Sequence, residues 1–221
     1  MKELLKTLCQ KKNSERQAVL ERELHLRPKK YCNLDDMAIV LPSECDTPVL
    51  LCAHFDTVPG SLGYNDNGMA LVTILNMLDK LPSHVEVVFT NCEERGFLGA
   101  RHYLACCRKN PRLCINLDVC GIGDMIYCDP MNSGITPADC KIGRMPPSDA
   151  VVFAGKHIPA LCLSTSYRNM EFLEGIHAIC QTIHGNHLDN DLDVINFDLP
   201  DLAADKIFSI LRLGPSTADI K

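Results

Sequence analysis

The sequence predicts an α/β fold: a mostly parallel mixed central sheet with helices on both faces. Three observations carry that expectation. Short apolar runs of strand length alternate along the chain with longer segments of helical periodicity. Several runs, such as Val49–Ala53 (VLLCA), are continuously apolar rather than alternating, as strands buried on both faces are. Imidazole and carboxylate side chains collect where such runs end, the edge at which open α/β sheets bind ligands.

Taken in order, the stretch from Lys2 to about Leu26 is charged with leucines at helical spacing and reads as one amphipathic helix. Met37–Leu41 is a short apolar strand stopped by Pro42, and Val49–Ala53 is a buried strand. Met69–Leu81 carries Val72, Leu75 and Leu78 at helical spacing, and Val85–Thr90 (VEVVFT) is the next strand. Leu98–Asn110 is a helix that must stop before Pro111. Leu113–Leu117 and Ile158–Leu163 are further strands, and Leu202–Leu213 is a closing helix. Asp129–Pro147 is rich in Gly, Pro, Asn and Asp and is expected to be a loop near the site. With no internal repeat, low-complexity tract or Pro/Gly-rich linker, residues 1–221 are expected to form one domain.

Composition removes several classes of function. Hydrophobic residues make up 46% of the chain and charged residues 23%, which excludes a disordered chain. The net charge is −6, with no basic run to serve nucleic acid. The opening MKELLKTLCQKKNSERQ lacks the apolar centre of a signal peptide, and no apolar run reaches the length of a membrane span. The 13 cysteines are odd in number and contain no C-x-x-C pair. Cys52, Cys114 and Cys162 sit inside apolar runs, where cysteine acts as a small hydrophobe. The expectation is free thiols in a reducing, cytoplasmic setting, with neither membrane nor nucleic acid as partner.

The candidate chemistry lies at three strand ends. Val49–Ala53 runs into His54-Phe55-Asp56, Val85–Thr90 leads to Glu93-Glu94, and Leu113–Leu117 runs into Asp118. All are metal-ligand types, and three strands delivering them to one edge predicts a metal site. His54 and Asp56 lie two apart, on one face of a strand, so Asp56 can accept the second imidazole N–H of His54. Adjacent Glu93 and Glu94 point different ways, so one can ligate metal while the other takes a proton from water. Asn65-Asp66-Asn67-Gly68 is open to two readings, a turn before a helix or a carboxylate delivered to the same edge. A second metal needs a nitrogen ligand, for which His184 and His187 both qualify.

The segments AHFDTVPGSLGYNDNGMA (53–70), VEVVFTNCEERGFLGARHYL (85–104), CINLDVCG (114–121), PPSDAVVFAGKHIPALCLS (146–164) and TIHGNHLDN (182–190) together resemble the co-catalytic di-zinc aminopeptidases. That group also contains glutamate carboxypeptidase and the glutaminyl cyclases. The resemblance implies a zinc peptidase fold of the phosphorylase/hydrolase type and hydrolysis of N-terminal residues from peptide or amino-acyl substrates. It implies two divalent ions, zinc first among them, with His54, Glu94, Asp118 and His184 as ligands and Asp66 as the bridging carboxylate. Glu93 then matches the general base and Asp56 the residue orienting His54. It also implies a cis peptide at Asp66–Asn67. The sequence departs from the family around Ile183-His184-Gly185-Asn186, where a Thr-Pro pair usually follows the histidine, so His187 stays open as the last ligand. Ala150 also stands where the family often has a polar residue. The chain is short for the family, so the resemblance implies a single catalytic domain without an inserted lid or protease-associated domain, with a pocket that is open or closed by a partner subunit in a homo-oligomer. Other di-metal amidohydrolases, a cyclase and a non-catalytic scaffold are the competing readings.

Overall fold

The computed structural model describes residues 1–10, 12–27, 30–181 and 187–213. The continuous apolar runs form the middle of an eight-stranded sheet. Its strands are β1 (Cys32–Leu34), β2 (Ala38–Leu41), β3 (Val49–His54), β4 (Val85–Thr90), β5 (Leu113–Leu117), β6 (Met125–Asp129), β7 (Lys141–Ile142) and β8 (Ala160–Ser166). Their order is β1-β2-β4-β3-β5-β8-β6-β7. The four central strands β4, β3, β5 and β8 run parallel, while β1, β2 and β6 pair antiparallel at the flanks. The sheet is mixed and mostly parallel, as the sequence predicts.

Alternation along each strand sends neighbouring side chains to opposite faces. Leu51 and Ala53 of β3 join Phe89, Ile115 and Leu163 on one face. That face is covered by helices α1 (Lys2–Cys9), α2 (Asn13–His25), α3 (Met69–Met77) and α7 (Leu199–Leu213). Leu50 and Cys52 face the other way, against Tyr103 of α4 (Leu98–Cys106) and Phe153 of α5 (Ala150–Ala154). Helix α6 (Phe172–Cys180) sends Ile179 to a smaller cluster with Tyr127 and Met145.

Several elements differ from expectation. The single N-terminal helix is two: Lys12 takes extended backbone (φ −66°, ψ 159°) and α2 begins afresh behind it. Leucine spacing does not register this break, which lets fully buried Arg16 bond the carbonyls of Phe55 at 3.2 Å and Cys9 at 3.5 Å. Helix α4 ends at Cys106, because Cys107 is already extended (ψ 127°) and the chain then pairs Asn110 N with Asp46 O at 3.1 Å. The Met69–Leu81 helix tightens after Met77 into a 3-10 turn, Leu78–Lys80. Asp129–Pro147 is not only loop, since it starts on β6 and contains β7, and it runs at the sheet edge away from β3 and β4. Asp129 holds its two ends together, accepting from Met131 N at 3.0 Å and Met145 N at 2.9 Å.

All 13 cysteines are free, and Cys52, Cys114 and Cys162 are buried as predicted. Burial pushes the Cys162 thiol up to about 12, the behaviour of an inert packing residue. Among the described residues no helix is long and apolar enough to cross a membrane.

Candidate metal centre

The parallel register brings the strand ends level. Val49 through His54 of β3 pair with Val85 through Thr90 of β4, and Val49 through Cys52 pair with Leu113 through Asn116 of β5. His54, the last residue of β3, is 2% exposed. Asp118 follows β5, and Asp66 sits in the buried wide turn Tyr64–Gly68 that leads into α3. The Asp66–Asn67 peptide is cis. His54 Nε2 lies 3.1 Å from Asp66 Oδ1 and 3.4 Å from Asp118 Oδ1. One ligand atom from each of the three lies within 4.8 Å of the others. Asp118 Oδ1 is buried and, among the described residues, accepts no hydrogen bond.

Hydrogen bonds fix the Asp66 turn from three sides. Asn65 Oδ1 accepts from Gly121 N at 2.6 Å, and Asn67 Nδ2 donates to Leu117 O at 2.9 Å, tying the turn to the end of β5. Fully buried Asp189 accepts the main-chain N–H groups of Asn65 and Asp66 through Oδ1, both at 2.9 Å. Its Oδ2 accepts from the Ser61 hydroxyl. Asn190 Oδ1 takes Leu62 N at 2.5 Å. The sequence does not single out Asp189, since the chemistry-bearing residues it offers near Leu188-Asp189-Asn190 are the histidines. A buried acceptor for main-chain amides has no residue-level signature beyond being an Asp beside a loop.

Asp56 has two functions in one residue. His54 Nδ1 stands 3.1 Å from the main-chain carbonyl of Asp56 and 3.5 Å from its Oδ1. The nearer partner of the imidazole is thus the backbone oxygen rather than the carboxylate. The carboxylate reaches across to β4, accepting Glu93 N at 3.0 Å and Glu94 N at 3.2 Å. Those amides are presented by the turn Glu93–Arg95, entered through Cys92 at φ 57°. Glu93 is buried and Glu94 half-buried; Glu94 is not one of the three converging residues. His184 lies outside the described residues. His187 opens the turn His187–Asn190, and its side chain is not among those described.

The cluster is electrostatically unbalanced. Burial drives Glu93 up to about 9; the charges of Asp118, Asp149 and Asp66 add to this and His54 opposes it. Burial and then Asp66 raise Glu94 to about 7, with His54 again opposing. Burial alone would depress His54, but its contacts with Asp118, Asp56 and Asp66 outweigh that and hold it well above its usual range. Acids crowded around one imidazole, with an orphan carboxylate oxygen at the centre, call for a cation. A nitrogen and two hard oxygens converging at this spacing suit a divalent ion of the zinc type.

The sequence model of Peptidase family M28 matches residues 37–134. The aminopeptidase YwaD of Bacillus subtilis is 35% identical over 94 residues, which are 38% of this chain and 21% of that protein. The vacuolar membrane protease of Debaryomyces hansenii is 31% identical over 113 residues, 47% of this chain and 11% of that protein. The matches therefore span a small part of these relatives. Among solved structures, the zinc aminopeptidase BSAP of Bacillus subtilis superposes with a TM-score of 0.62 at 20% identity, covering 80% of this chain and 49% of that one. The glutaminyl cyclase of Bacteroides thetaiotaomicron superposes with a TM-score of 0.74 at 15% identity, covering 95% of both chains. Residues 37–134, which hold His54, Asp66, Glu93, Glu94 and Asp118, thus match Peptidase family M28, on a fold shared with zinc aminopeptidases and glutaminyl cyclases.

Proposed function

We propose that the chain is a zinc-dependent aminopeptidase that removes N-terminal residues from peptides. The observation that carries this reading is the convergence of His54, Asp66 and Asp118 within 4.8 Å at one sheet edge, with Glu93 on the neighbouring strand end. His54, Asp66 and Asp118 would hold one ion. Asp66 would be shared with a second, completed by Glu94 and a late histidine, His184 before His187. Bound zinc supplies a Lewis acid that polarises the scissile carbonyl and makes water easier to deprotonate. The remaining chemistry belongs to the chain. With its Nδ1 turned to Asp56, His54 presents Nε2 to the ligand cluster. Glu93 takes a proton from the attacking water and passes it to the leaving amine. The Asp56 carboxylate holds the Glu93–Glu94 turn in place for that transfer. The free thiols fit a reducing, cytoplasmic setting.

A second reading, glutaminyl cyclisation, is favoured by the 95% mutual coverage with the Bacteroides cyclase. One experiment separates the two. The zinc-loaded protein is offered Leu-, Ala- and Gln-initiated peptides with free or acetylated amines, and products are identified by mass. Release of the first residue from free-amine peptides, abolished by chelator and restored by zinc, supports the aminopeptidase. Pyroglutamyl product from the Gln peptides alone would overturn it in favour of the cyclase. The Glu93→Gln variant, fully zinc-loaded, should lose about 10²–10⁴-fold in turnover; near wild-type rates would remove the base assignment.

A further inference from the structure

A cleft of about 570 Å³ opens beside the candidate centre. Asp56 and Glu94 line it, and so do Lys12 at the junction of α1 with α2, Asn13, Thr57 after β3, and Arg95 after β4. Its wall is tied together: Asn13 Nδ2 donates to Thr57 O at 3.5 Å, and Thr57 N donates to Asn13 Oδ1 at 3.3 Å. These bonds hold the N-terminus of the 13-residue helix α2 against the loop that follows β3. Lys12 and Arg95 are exposed, and neither makes an ion pair among the described residues. The cleft therefore carries two cations without an ion-pair partner among the described residues, and the positive end of a helix dipole, beside the candidate metal centre.

We propose that this cleft holds the leaving portion of the substrate and that Arg95, assisted by Lys12, binds a carboxylate on it. The inference rests on the peptidase reading and adds a substrate class to it. Charge sets the orientation: Lys12 and Arg95 repel the ammonium of a free-amine peptide, so the amino end points away from them, toward the candidate metal centre. The other end of a short peptide, or an acidic side chain just past the scissile bond, carries the complementary charge. A guanidinium meets a carboxylate with two parallel hydrogen bonds, so Arg95 is the reading residue and Lys12 a point charge behind it. The volume lies in the range of small-ligand pockets, enough for one or two residues rather than a long chain.

Four peptides distinguish the two sources of the carboxylate: Leu-Glu, Leu-Gln, Leu-Glu-amide and Leu-Gln-amide, hydrolysed by zinc-loaded protein. The quantity read is the kcat/KM ratio of each acidic peptide to Leu-Gln-amide. In the wild type at least one ratio should be about threefold to tenfold, carried in KM. Preference for Leu-Gln assigns the terminal carboxylate, and preference for Leu-Glu-amide assigns the side chain. The ratio should fall to about one in Arg95→Gln, fall partly in Lys12→Gln and invert in Arg95→Glu. Both positions are exposed, so these variants leave the core untouched. Hydrolysis of all four peptides at equal efficiency overturns the carboxylate site while the peptidase reading stands. A wild-type preference that survives in Arg95→Gln does the same. Hydrolysis of none removes both.

Discussion

Removing the Asp189 carboxylate should loosen the turn that carries Asp66. Asp189 is fully buried, and its Oδ1 accepts the amides of Asn65 and Asp66, both at 2.9 Å, so Asp189→Ala leaves two buried N–H groups without an acceptor. Each such group costs about 1–3 kcal/mol, so the two together cost about 2–6 kcal/mol. That is a large share of the ~5–15 kcal/mol typical of a folded domain. Asp189→Asn keeps one oxygen for the amides and should lose less than half as much. The assay is urea unfolding in chelator, so that metal binding does not enter, followed by zinc titration of each folded variant. Zinc affinity should fall in the order wild type, Asp189→Asn, Asp189→Ala, because Asp66 is no longer held where His54 Nε2 and Asp118 Oδ1 meet. If Asp189→Ala unfolds within about 0.5 kcal/mol of wild type, the amides have found another acceptor and the clamp assigned to Asp189 does not exist.

Two further outcomes follow from the same geometry. Asp118→Ala should lower bound zinc per chain, read by elemental analysis after dialysis against a fixed free-zinc buffer; an unchanged stoichiometry removes Asp118 from the ligand set. Asp149 is fully buried beneath the site, and burial raises its carboxyl from 3.8 to about 7 despite the hydrogen bond from Thr90. In the unfolded chain the group ionises near its ordinary value, while in the folded protein it keeps its proton until near neutrality. Stability of the zinc-free protein should therefore fall as pH rises from about 4 to about 7, by about 4 kcal/mol from this group alone. Asp149→Asn should flatten that part of the curve in pH-dependent urea unfolding, and an unaltered slope would place the titration elsewhere.

The parts legible in the sequence were those with a strong periodic signal. β3, β4 and β5 are mainly apolar and buried at every position because both their faces are covered. Their parallel order then dictates that His54, Glu93 and Asp118 share an edge. β1 and β7 are three and two residues long, with Cys32, Asn33 and Ile142 exposed, so no hydrophobic pattern marks them. Helix α5 spans five residues, too few for a period to show. At the site, Asp66 was distinguishable from an ordinary turn only through resemblance, since its role depends on a turn folded back over β5. The contacts made by Asp189 and by the Asp56 carboxylate are to main-chain amides, and a sequence does not say which amides a loop will present. The N-terminal break leaves no trace in the sequence for a related reason: Arg16 is polar and sits among charged residues, yet tertiary contacts bury it completely.

The double engagement of Asp56 has a consequence for how the site can vary. Its carbonyl fixes the azimuth of the His54 ring, and its side chain fixes the height of the turn bearing Glu93 and Glu94. Two strand ends thus take their position from a single datum. The His54 ring and the turn carrying Glu93 are thereby referred to the same residue, so their mutual alignment depends on Asp56 rather than on two separate supports. Substitutions that alter the outer loops can accumulate without disturbing that alignment, whereas a change at Asp56 disturbs both partners at once.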